Sequence, residues 1–142
     1  MFKKIFKKQE KEKSNSNQNI LVAALLIHAA KIDEKYTEKE KLIIKKALMD
    51  LNNMSSDQTE KLMIFAEKKE KEQNQILEFT REIKKNSMAS RLKIIEIIWK
   101  IVYSDGVSDS YESNLIRRIC GLLYVSDKDN GIIKKKIVNI KK

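Results

Sequence analysis

Ser104-Asp105-Gly106-Val107-Ser108-Asp109-Ser110-Tyr111-Glu112 sits between two apolar, helix-patterned segments, and its reading decides the fold. Seventy-two residues upstream of Asp105 and Glu112 stand Asp33 and Glu40, inside Ile32-Asp33-Glu34-Lys35-Tyr36-Thr37-Glu38-Lys39-Glu40. A mostly apolar stretch precedes each block and a second apolar helical pattern follows it. One helix-turn-helix unit is therefore written twice, over about residues 20–52 and 90–125.

The rest of the chain agrees with an all-α body. It has 142 residues, no proline and three glycines, with 42% hydrophobic and 35% charged residues. Lys, Glu, Ile and Leu dominate, and straight-chain side chains lose little rotamer freedom in a helix. A chain of this length makes one domain with one core. The single cysteine, Cys120, has no internal disulfide partner and falls in an apolar helical pattern, which fits a reducing compartment and a small buried side chain.

The net charge of +10 sits at the ends. Residues 1–13 hold six Lys and two Glu, and residues 134–142 hold five Lys and no acid, leaving +1 for everything between. Only four of the 30 basic residues are Arg, the side chain best shaped for phosphate and base-edge recognition. This distribution argues against a nucleic-acid partner. The apolar run Ile20–Ala30 is too short to span a bilayer, which takes about 20 apolar residues, and no cleavage pattern follows the basic start. A cytoplasmic protein is expected.

In residues 1–8, Phe2, Ile5 and Phe6 recur at i, i+3 and i+4 between lysines, a short basic amphipathic pattern suited to an anionic membrane surface or a partner's groove. Two turns of helix are marginal alone, so a frayed solubilising tail is the competing reading. Ser14 to Asn19 is a polar linker, which makes residues 1–19 a tail and 20–142 the folded domain. Ile20–Ile32 is apolar nearly all round and belongs in the middle of the fold, with His28 as a core histidine rather than a ligand. Thr37-Glu38-Lys39-Glu40 reads as a capping box, and Asn52-Asn53 as a stop. Asp57-Gln58-Thr59-Glu60 reads as another box, and the fully charged run Glu67–Glu72 as a solvated face or a joint between helices. A further helix carries Ile76, Leu77, Phe79 and Ile83. The second unit opens near Ser87 and runs to Val102, a helix from Asp109 takes Leu115, Ile116, Ile119, Leu122 and Leu123 inward, and Ser126 starts the last one.

Asp33 and Asp105 each close an apolar helix, where an unpaired carboxylate costs roughly 0.3–1 kcal/mol against the helix dipole. Two readings account for them. In one, each carboxylate accepts from turn amides or the next helix's N-terminus, and Glu40 and Glu112 are cap residues only. In the other, the two hairpins pack together, and Asp33, Glu40, Asp105 and Glu112 converge on a hard cation such as Ca²⁺ or Mg²⁺. The spacing is not an EF-hand, because Gly106 stands at the second position and not the sixth.

The twice-written pattern of apolar helix, Asp-Gly, Glu and apolar helix, as Asp105-Gly106 to Glu112 and less perfectly Asp33-Glu34 to Glu40, resembles the tellurite-resistance TerB-like domains. These also occur at the N-terminus of a membrane-anchored DnaJ-type co-chaperone. The resemblance covers about residues 20–133. It implies about seven helices in two pseudo-twofold halves, with an acidic cluster open to a divalent cation. It also implies a link to stress response and to assemblies at the membrane's inner face, without an established enzymatic activity. The metal candidates it carries over are Asp105 and Glu112, and with less support Asp33 and Glu40. Glu34 departs from the pattern, since the family has Gly there. No J-domain His-Pro-Asp motif is present, so co-chaperone activity does not carry over.

Two functions follow as expectations: a non-catalytic interaction or sensor module with a cation at the turns and a protein partner the sequence does not name, or a peripheral membrane binder acting through Phe2, Ile5 and Phe6. No nucleophile paired with a base and no phosphate loop points to an enzyme.

Overall fold

The run from Ile20 to Ala30 becomes a helix that is covered on nearly every side, as an apolar surface with no polar stripe requires. A computed structural model describes residues 18–31, 36–72, 76–104 and 110–140, of which 110–112 and 140 are described in backbone only. Among the described residues there are seven helices and no strand: α1 (18–30), α2 (Glu38–Asn52), α3 (Ser56–Glu72), α4 (Ile76–Ile83), α5 (Met88–Val102), α6 (Ser110–Leu122) and α7 (Asp127–Ile140).

The core is built on α1 and α5. Ala23 to Ile27 of α1 are wholly buried, as are Ile95, Ile98 and nearly so Trp99 and Ile101 of α5. Each such Ile or Leu contributes about 1.5–3 kcal/mol relative to exposure. Helix α5 packs against α2, α6 and α7, while α2 packs on α3, and α6 on α4 and α7. Trp99 fixes the α5–α7 contact, since its indole Nε1 donates to Asn130 Oδ1 at 2.9 Å. Helices α2 and α3 run antiparallel, with Lys45 bonded to Glu60 at 2.8 Å and Tyr36 to Glu67 at 3.1 Å. The 72-residue spacing between the acid pairs also separates residue 30, the end of α1, from Val102, and Glu38 from Ser110.

Helix ends are set by local chemistry. Thr37 caps α2 in the expected box: the Glu40 amide donates to Thr37 Oγ1 (3.1 Å) and the Thr37 amide to Glu40 Oε1 (3.2 Å). Ser87 and Ser126 cap α5 and α7 through the amides of Ser90 and Asp129. The cap of α3 lies two residues before the one expected at Asp57. Ser55 and Gln58 form the reciprocal pair, at 3.2 and 3.1 Å, and Thr59 is buried with its hydroxyl donated to the Ser55 carbonyl. Asp57 thus falls inside the first turn.

Helix α6 ends in a Schellman turn, with Val125 N–H on the Cys120 carbonyl (2.8 Å) and Tyr124 at φ 57°, a left-handed backbone uncommon for an aromatic residue. Asn53, at φ 51°, closes α2 and serves as the expected stop. Not every apolar side chain is covered: Leu42, Ile64, Phe65, Leu77 and Ile132 stay exposed, and Leu122 is only half-buried.

Candidate functional site at the elbow end

The chain turns between α1 and α2 and again between α5 and α6, and the described flanks of these two elbows meet. Lys39, on the first turn of α2, donates from Nζ to the backbone carbonyl of Ser104 at 2.7 Å. Ser104 directly precedes Asp105 in the sequence.

Glu40 is buried at the same end, and its carboxylate has structural work. Its Oε1 accepts from the Thr37 amide and from Thr37 Oγ1 (2.8 Å). Of the other acids in the expected cluster, Asp33 and Asp105 lie outside the described residues, and Glu112 belongs to α6 without a described side chain. Phe2, Ile5 and Phe6 also lie outside the described residues. Among the described residues, no group of three or more His, Cys, Asp or Glu is arranged to hold a metal ion, and no helix is long and apolar enough to cross a membrane.

A second polar cluster braces the first elbow from behind. Glu70, on α3, is only 6% exposed. Its Oε2 accepts from Lys31 Nζ at 2.8 Å and its Oε1 lies 3.3 Å from His28 Nδ1. A buried carboxylate needs such partners, because an uncompensated charge in the interior is costly. One turn earlier on α3, Glu67 accepts from the Tyr36 hydroxyl at 3.1 Å. Burial, then the Glu67 charge and hydrogen bond, push the Tyr36 phenol well above its usual range, with Glu38 and Glu40 adding to the effect. The ammonium groups of Lys41 and Lys31 lie 4.9 and 5.7 Å from the Tyr36 ring centroid, within cation–π range.

This cluster corrects the sequence reading of Glu67–Glu72 as a solvated face or a joint between helices: the run is the last part of α3, and Glu70 is buried. Glu67 and Glu70 point at α1 and the elbow. Their spacing of three on α3, matched by His28 on α1 and Lys31 just past its end, is the one signal that marks them.

The only histidine is thus engaged by Glu70, and the only cysteine is inert. Cys120 is buried on α6, where desolvation and then the Asp127 charge push its thiol up to about 12. The described hydroxyls that donate to carboxylates, Thr37 to Glu40 and Tyr36 to Glu67, serve a helix cap and a contact between α3 and the first elbow.

The family model described as tellurite resistance protein TerB matches residues 19–135. No curated protein and no solved structure shows a significant match. With the match running over most of its length, from the start of α1 well into α7, the chain belongs to the TerB family.

Proposed function

We propose that this protein is a non-catalytic interaction module of the tellurite-resistance type, whose working surface is the elbow end and whose elbows are bridged by a divalent cation. The observation that carries the reading is the Lys39–Ser104 bond, which joins the flank of one elbow to the flank of the other. Carboxylates from both elbows and a carbonyl such as that of Ser104 form an oxygen-only donor set, which suits Ca²⁺ or Mg²⁺. A softer metal does not fit, since the one thiol is buried and neutral and the one imidazole is bonded to Glu70. Asp33, Asp105 and Glu112 would supply the charge. Glu40 would add its negative charge to the cluster while its Oε1 serves the cap. In this reading Lys39 is the counter-charge that relieves repulsion among the acids when no ion is bound.

Calorimetric titration with CaCl₂ and with MgCl₂, beside thermal unfolding, tests the proposal. A saturating ion raises stability by about 2.7 kcal/mol at a hundred times Kd, and Asp105→Asn with Glu112→Gln removes the response. If neither ion gives heat or moves Tm, the cation half is wrong. A partner would then have to be sought through the elbow surface alone, by affinity capture compared between the wild type and Lys39→Glu.

A second reading rests on the basic ends. Phe2, Ile5 and Phe6 with their lysines suit the inner face of an anionic membrane, each lysine near such a surface being worth about 1 kcal/mol. The C-terminal lysines add less than their number implies, because Lys136 is bonded to Glu96 at 3.0 Å and Lys134 lies over the Trp99 ring. Co-sedimentation with phosphatidylglycerol vesicles, with and without residues 1–13, tests this reading. Equal sedimentation of the two chains disposes of it.

A further inference from the structure

We propose that a cleft between the start of α1, the C-terminal half of α3 and α4 is the seat of this chain's own residues 2–6. The cleft measures about 700 Å³. Ile20, Leu21 and Phe65 form its apolar floor. Phe65 is 62% exposed, an unusual state for a large aromatic side chain whose neighbours Leu62, Met63 and Ala66 all face the core. Leu77, one turn before the cleft-lining Arg81 on α4, is also exposed.

The place where the described chain begins identifies the occupant. Gln18 itself lines the cleft, so the preceding seventeen residues leave from its rim. Residues 7–17 are polar throughout, and a tether of eleven residues can reach at most roughly 36–40 Å. This spans the cleft and holds the first residues at an effective concentration on the order of millimolar. The tether carries Phe2, Ile5 and Phe6, which share one face when helical, and these are the apolar side chains that the floor lacks. Rim acids Glu72 and Glu78 can meet lysines of the tail, but Lys68 and Arg81 line the same cleft. Apolar contact therefore selects the tail, and seating depends only modestly on salt. A membrane draws on the same three side chains, so anionic vesicles compete with the seat. The inference does not depend on the cation reading.

A nitroxide on Lys4→Cys tests it in the full-length chain, because buried Cys120 does not compete for the label. The ¹⁵N-labelled protein should lose most of the amide intensity at Phe65 and Arg81. Replacing Phe2, Ile5 and Phe6 together by Ser should restore it, as should Phe65→Ser, an exposed change that the fold tolerates. Three results overturn the proposal: broadening confined to residues 18–21, which the tether alone reaches; broadening unchanged in the triple-Ser chain; and broadening that arises only when spin-labelled ¹⁴N chains are mixed with unlabelled ¹⁵N chains, which assigns the cleft to a second copy. Phosphatidylglycerol vesicles should release the amides at Phe65 and Arg81. Broadening that requires the vesicles also refutes the seat.

Discussion

Glu70→Gln should weaken the clamp between α1 and α3 without disturbing the core around it. The carboxylate is bonded to Lys31 at 2.8 Å and lies 3.3 Å from His28, and its side chain is 8% exposed, against 30% for Lys31 and 21% for His28. Breaking a buried ion pair costs about 3–5 kcal/mol when the remaining charge stays trapped. Here the remaining charge is not trapped, because the Lys31 ammonium can turn to water. The loss should therefore approach that of one charge-assisted hydrogen bond, about 1.5–3 kcal/mol. Lys31→Met should cost more, because it leaves the buried Glu70 carboxylate with only His28 beside it. Urea unfolding of the two single variants and the double variant gives the coupling between the residues, expected at about 1–2 kcal/mol. The coupling should persist in 0.5 M salt, because a buried pair is poorly screened. A coupling below about 0.3 kcal/mol, or one abolished by salt, would falsify the view that the cluster braces the first elbow.

Three further outcomes are expected. Glu96 resists ionisation through burial, but the Lys136 hydrogen bond and the charges of Lys136, Lys100 and Lys93 outweigh this and hold its carboxyl below the usual value of 4.5. Its folded pKa being lowered, the stabilisation is complete above pH 4.5 and fades as pH falls through the folded value, so the stability gap between wild type and Glu96→Gln should close on acidification; a gap constant down to pH 3 contradicts this. Cys120 should be silent to a thiol reagent at pH 8 in the native state and react fully in urea, and rapid native labelling would show that α6 opens. Thr37→Ala should cost about 1 kcal/mol with any cation response intact, whereas Glu40→Gln keeps an oxygen for the cap and should lose cation response more than stability; the reverse pattern would make Glu40 a cap residue only.

Elements governed by short-range chemistry were legible from residue types alone. The α2 cap needs only Thr37 and Glu40, three positions apart, and the burial of α1 follows from a surface with nowhere to put a polar face. Two local signals compete at the start of α3, where Ser55 with Gln58 and Asp57 with Glu60 both fit a box. The earlier pair wins in a helix that also buries Thr59 and bonds its hydroxyl back to Ser55. Glu70 was illegible for a different reason. Its partners are 39 and 42 residues away, and only the way α1 lies across α3 reveals that one acid in a charged run faces inward. Whether four acids from two elbows converge is a question of the same long-range kind, which no spacing along the chain answers.

The proposed reading of recognition over reaction draws support from where Tyr36, Cys120 and His28 sit. General acid–base or nucleophilic work needs a group whose proton is exchanged near neutral pH and whose reactive atom is open. Tyr36 and Cys120 are both driven away from that range by burial, and His28 is tied to a carboxylate on another helix. By contrast, the bond from Lys39 to Ser104 lies exposed, at the end of helices whose starts and packing are fixed. In the proposed reading, this exposed hydrogen bond is the contact that a metal ion or a partner's basic side chain displaces while the core stays unchanged. Lys39→Met should thus raise affinity for either, by removing the tethered competitor; it should destabilise the ion-free protein, which loses its counter-charge, and leave the ion-saturated protein within about 0.5 kcal/mol of the wild type.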